Sequence, residues 1–254
     1  MLVGFIHGVM NTDNMSIAGE TIDYGPCAFM DDYNPKKVFS SIDQGGRYAY
    51  ANQPVIAQWN LARFAEALLF LIDPAPEKAA GLATEALGPF VEQFNDRFLA
   101  GMRRKLGLSS PGAGDAALVK RLLGAVHQAE ADFTLTFRSL AHAAESPGEP
   151  TRWRGLFAEG PEFDGWLRDW QERLAGDPQP TSDRVETMRA ASPAFIPRNH
   201  RVQAALEAAE SGDYAPFHKL LGIVQRPYDD QPEVAAYALP PQPSERVLQT
   251  FCGT

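Results

Sequence analysis

Cysteine is nearly absent: Cys27 and Cys252 are the only two in 254 residues, so no disulfide framework can carry the fold. Two free thiols in a reducing cytoplasm are the plain reading, with Cys252, near the end of a polar tail, exposed and reactive. Positive charge is also in deficit. Lys and Arg total 23 against 32 Asp and Glu, giving a formal net charge of −9. Such a balance argues against nucleic acid and against an anionic membrane surface as partners. Long hydrophobic runs are missing too; the longest candidate, residues 65–72, is too short to span a bilayer. The start lacks the basic region and small-residue cleavage site of a secretory signal, which leaves the Asn14-Met15-Ser16 sequon accidental. No internal repeat, low-complexity tract or domain linker interrupts the chain.

Hydrophobic residues make up 44%, enough for a packed core. Residues 1–26 read as strand, polar loop, strand, with residues 21–22 as the second strand-like piece. Residues 27–51 form a long polar loop, a feature that is usually functional. Residues 52–225 read as helical scaffold and 226–254 as an extended, proline-rich tail. The expected fold is one mainly α domain with a small β element at its front. In the first helix Asn52 can cap and Pro54 suits the first turn, while Ala57, Leu61, Phe64, Leu68 and Leu71 recur at helical spacing. A helical stretch over 76–106 breaks at Gly88-Pro89. Leu118, Leu122, Val126, Ala129, Phe133, Phe137 and Leu140 predict one continuous amphipathic helix. Trp166 and Trp170 fall on an apolar stripe and are expected in the core. Asp31 and Asp32 are expected to face solvent, and residues 102–105 to form the charged end of a helix. Arg47, Arg198 and His200 are expected to be structural ion pairs or loop anchors.

The chemistry gathers in residues 7–26, HGVMNTDNMSIAGETIDYGP. His7 and Asn14 stand at the separation of the His and Asn that frame the catalytic Asp of protein kinases, and Asp23-Tyr24-Gly25 takes the place of the metal-binding Asp-Phe-Gly. On that comparison Asn14 and Asp23 would hold Mg2+ or Mn2+. One amide and one carboxylate make a weak site alone, so metal and nucleotide are expected to arrive together. Val9 occupies the kinase base position and cannot accept a proton. Asp13, beside the proposed metal ligand, is the one nearby carboxylate in the loop that can. His7 is expected to support the loop through hydrogen bonds.

Together with GGRYAYANQP at residues 45–54 and PAFIPRNHRV at residues 193–202, this stretch strongly resembles the selenoprotein O family, over essentially the whole chain. Cys252 fits the family's Cys or selenocysteine near the C-terminus. The resemblance implies a protein-kinase-like C-lobe, a pseudokinase that binds ATP in a flipped orientation. It implies transfer of AMP to Ser, Thr or Tyr hydroxyls of acceptor proteins, with release of pyrophosphate. Asp13 then matches the proton acceptor, Asn14 and Asp23 the magnesium ligands, and Asp23 also an ATP contact. The family's N-lobe, with its Gly-rich strands and phosphate-binding cations, has no counterpart here. This polypeptide alone is therefore expected to adenylylate weakly or not at all. A Cys27–Cys252 redox bridge is a further expectation. The alternatives are a phosphotransferase of the aminoglycoside-kinase type, against which Val9 speaks, and a non-enzymatic lobe.

Overall fold

The computed structural model describes residues 1–20, 24–146 and 161–251. Two short strands, β1 (Phe5–Ile6) and β2 (Ala28–Phe29), pair as a two-stranded sheet. Helices follow: α1 (Gln53–Ile72), α2 (Pro76–Leu87), α3 (Phe90–Lys105), α4 (Asp115–Gln128), α5 (Phe133–Glu145), α6 (Pro161–Ala175), α7 (Thr181–Ala191), α8 (Asn199–Glu210) and α9 (Ala215–Val224). The chain is mainly α with a small β element near its start, as its sequence predicts. The partner of β1 lies inside the stretch read as irregular loop, and residues 21–22, read as that partner, lie outside the described residues. The tail is not simply extended: short 3-10 turns occupy Pro232–Tyr237 and Pro243–Glu245.

Backbone packing divides the chain into two compact units. The first comprises Met1–Gly4, Phe29–Asn34 and Leu99–Leu248. Its core holds Leu118, Leu122, Val126, Phe133, Phe137 and Leu140, all buried. The predicted single helix through these residues is in fact two. Glu130 adopts φ +48°, a left-handed conformation that ends α4, and the Asp132 carboxylate accepts a hydrogen bond from Leu135 N at 2.8 Å to start α5. The apolar period survives the break, which is why the stripe looks unbroken in sequence. Trp166 and Trp170 stack at 5.6 Å between centroids, and their indole N–H groups donate to the carbonyls of Leu118 and Leu106, each at 2.9 Å. The last turn of α3 carries Arg103, Arg104 and Lys105 and is the charged helix end expected, though part of it is buried. Met102 and Lys105 are buried, and Lys105 Nζ lies 4.8 Å from the Phe137 ring centroid. Burial, with the nearby Arg104 charge, pulls the Lys105 pKa down to about 7.

The second unit comprises Phe5–Ala28, Pro35–Phe98 and Gln249–Thr254. Here α1 packs on α2. The buried residues of α1 are Gln53, Ile56 and Asn60, whereas Phe64 and Leu71, placed by periodicity on its inner face, are exposed. With its preceding turn, Tyr50–Ile72 is long and apolar enough to cross a membrane by length and composition, with a mean hydropathy of 1.4 and 11% of that window buried. The run expected from the sequence, residues 65–72, is only the C-terminal part of that helix. Asn52 does not cap α1; its Nδ2 donates to the Gly46 carbonyl at 2.8 Å instead.

Candidate active site

The loop after β1 is held by one face of α1. Gln53 Oε1 accepts from His7 N at 3.1 Å, while Gln53 Nε2 donates to Phe5 O at 3.0 Å. Two turns further along, Asn60 Nδ2 donates to Met10 O at 2.9 Å. Gln53, Ile56 and Asn60 lie at steps of three and four, so all three project from one side of the helix. Between the two amides, Ile56 packs with Met10 and Tyr48, and Met15 and Ala57 close the cluster. The loop backbone is therefore pinned at both ends and packed in the middle. Gln53 and Asn60 escaped the sequence reading. Their one signal is a pair of amides seven residues apart, which falls on one side of a mostly apolar helix.

Residues Thr12–Asn14 form a single 3-10 turn, closed by Asn14 N donating to Asn11 O at 3.0 Å. Asp13 sits on that turn, exposed to solvent. Asn14 Nδ2 donates to Val9 O at 3.2 Å. That bond spends the nitrogen end of the amide and leaves Oδ1, the end a cation uses. Val9, at the kinase base position, is buried at 7% exposure and offers no polar atom on its side chain. His7 supports the loop as expected, its Nδ1 accepting from Val9 N at 3.4 Å. Asp23 and Cys252 lie outside the described residues, and with them the expected Asn14–Asp23 metal pair and the expected Cys27–Cys252 bridge. Among the described residues no group of three or more His, Cys, Asp or Glu gathers to hold a metal ion. The donor set at Asn14 fits a hard cation whose remaining ligands come from elsewhere, as a nucleotide's phosphates would.

A second loop abuts this turn. The buried Asp43 carboxylate accepts from the backbone N–H of both Arg47 and Tyr48, each at 2.8 Å, and Gly46 takes φ +67° to make the bend. Tyr48 Oη donates to Asn11 Oδ1, tying this loop to the turn that carries Asp13. Arg47 was expected to make an ion pair or anchor. Its guanidinium instead lies over Trp59 at 4.8 Å and near Tyr48 at 5.7 Å. A groove of about 340 Å³ runs beside the turn, lined by Thr12, Met15, Ser16, Leu61, Arg63 and Phe64.

In the other unit, Arg198 is the structural anchor expected of it. Its side chain is fully buried and pairs with Asp31 at 2.7 Å and Asp132 at 2.5 Å, with a further bond to Ala238 O at 2.8 Å. Asp31 is accordingly not the solvent-facing residue expected. His200 is buried beside this network, and burial lowers its pKa.

A kinase-type loop with its base position emptied of acid has a counterpart among known proteins. The profile of the family described as "Protein adenylyltransferase SelO" matches residues 1–225. The chain belongs to the SelO family. It is 58% identical over 253 residues to the "Protein nucleotidyltransferase YdiU" of Rhizobium meliloti, covering 99% of this chain and 52% of that protein. It is 59% identical over 255 residues to the protein of the same name from Rhodopseudomonas palustris, again covering 52% of it. The chain thus spans about half the length of the curated relatives it matches. Membership in the SelO family agrees with the kinase-like, mainly α lobe expected from the motifs.

Proposed function

We propose that this chain is the catalytic-loop part of a protein adenylyltransferase that moves AMP from ATP to Ser, Thr or Tyr hydroxyls of acceptor proteins. The acceptor oxygen attacks the α-phosphorus, the bond from that phosphorus to the β-phosphate bridging oxygen breaks, and pyrophosphate leaves. Asp13 takes the hydroxyl proton. Asn14 Oδ1 and the Asp23 carboxylate would hold Mg2+, which when bound would neutralise charge on the phosphates, and Asp23 would also contact ATP. The observation that carries this reading is the pairing of an exposed Asp13 with a buried Val9 in a loop whose backbone α1 pins. Asp13 is the proton acceptor in this reading, because Val9 at the kinase base position offers none. The relatives' names support nucleotidyl transfer, and the matching family's description supports adenylyl transfer to protein.

The test is mass spectrometry of acceptor protein after incubation with Mg-ATP, using this chain and a relative of full length. An AMP adduct lost in Asp13→Ala supports the proposal. A phosphate adduct would mean a phosphotransferase instead. No heat on titrating Mg-ATP into the folded chain or into the full-length relative would mean a non-catalytic lobe. Weak transfer by this chain, which spans about half the length of its relatives, and robust transfer by the full-length relative is the expected contrast, since each phosphate-binding donor that the rest of the relative adds is worth about 3–4 kcal/mol in the transition state.

A further inference from the structure

Two arginines and an exposed indole flank the Asp13 turn, and the adenylyl-transfer chemistry uses none of them. Arg47 is exposed, and among the described residues its guanidinium contacts aromatic rings rather than a carboxylate. The nearest candidate acid on its own loop, Asp43, is occupied with backbone amides. Arg63 also lies over Trp59, at 5.3 Å, and pairs with Glu66 at 2.6 Å. The cation left without a counter-charge in this stack is thus Arg47, on a chain whose net charge is −9. Two links place the stack beside the proposed base. Tyr48, next to Arg47, is bonded to Asn11, two residues before Asp13. Arg63 lines the same groove as Thr12 and Ser16.

The position is also preorganised. The Asp43 clamp and the Gly46 bend fix the Arg47 backbone, and the Trp59 ring holds its head. An anion meeting it finds a guanidinium whose ordering cost is already met. A stacked guanidinium still presents its N–H edges, which pair with a carboxylate in bidentate fashion.

We propose that the Arg47–Trp59–Arg63 stack docks an acidic side chain of the acceptor protein next to the hydroxyl that receives AMP. The proposal rests on the adenylyl-transfer reading for the identity of the acceptor. Its charge preference stands on the stack alone. Acceptor segments are then selected for Asp or Glu near the modified Ser, Thr or Tyr.

The experiment is fluorescence anisotropy of labelled Ser peptides, one with flanking Asp and Glu and one with the matching Asn and Gln, titrated with the 254-residue chain. The acidic peptide is expected to bind about tenfold tighter, as a charge-assisted pair does. Arg47→Glu removes that preference and Arg47→Lys keeps part of it, while Mg-ATP affinity stays the same in both. If Arg47→Glu lowers the melting midpoint, Arg47→Gln makes the comparison. Equal binding of the two peptides overturns the proposal. So does inorganic pyrophosphate displacing the acidic peptide with the same dependence on Arg47, which would give the stack to nucleotide phosphates. Arg47-dependent binding with no AMP adduct from either this chain or the full-length relative would keep the docking site and remove adenylyl transfer.

Discussion

Replacing Arg198 with Met removes a charge while keeping a long side chain of similar reach. In the native structure its guanidinium joins Asp31 and Asp132 within one buried cluster, at 2.7 and 2.5 Å. Without it, two carboxylates face each other away from water, and Asp132 keeps only its bond from Leu135 N among those it now makes. Breaking a buried pair from one side costs about 3–5 kcal/mol, because the remaining charge is left uncompensated. Burial already pushes the Asp132 carboxyl above its ordinary value, and Arg198 is the main influence pulling it back. In Arg198→Met the folded-state pKa rises further. Between the ordinary carboxylate value and that raised pKa, the folded state holds a proton that the unfolded chain has lost. Stability of the variant therefore falls as pH rises through that window, by up to about 1.4 kcal/mol per unit. The native protein, with the guanidinium in place, falls less.

Urea unfolding followed by circular dichroism at pH 5, 6.5 and 8 reads this directly. The variant should lose most at pH 8 and recover part of the loss at pH 5. His200 lies beside the cluster and also titrates, so the measurement is repeated with His200→Asn in both backgrounds. In an Asp132→Asn background, Arg198→Met should cost far less, since one of the stranded charges is gone. An equal loss at all three pH values, or a loss under about 1 kcal/mol, would refute the reasoning that charge burial dominates here.

Gln53→Ala and Asn60→Ala should each cost about 1–2 kcal/mol and speed hydrogen exchange of the loop amides over residues 7–14, read by NMR. Lys105 is buried with a folded pKa near 7, below its unfolded value, so its contribution to stability rises between pH 7 and about 10 and is lost as pH falls to 7; Lys105→Met should flatten that rise in a thermal-melt series. Glu130→Gly relieves a left-handed backbone at φ +48° and should raise the urea midpoint by the equivalent of about 0.5–1 kcal/mol.

What the sequence could reveal depended on whether a residue's role was local or set by a distant partner. The break at Gly88-Pro89 follows from neighbours in the chain, and it was legible. So was the burial of Trp166 and Trp170, because an amphipathic stripe is its own record. The split between α4 and α5 was not, because Glu130 carries no glycine signal and the apolar period continues through it. The inner face of α1 was misread for a related reason. Periodicity counts apolar side chains, and the buried face here is organised by two amides whose partners are loop carbonyls and amides 46 to 50 residues away. Asp31 was misassigned likewise, since its partner Arg198 is 167 residues distant. The functional signal survived these errors because it rests on substitution chemistry and not on packing. A valine at the kinase base position, with an aspartate four positions on, is the pattern on which the proposal of adenylyl transfer rests. The amides of Gln53 and Asn60 hold the backbone of that loop through atoms independent of the Val9 and Asp13 side chains, so its shape does not depend on which position carries an acid.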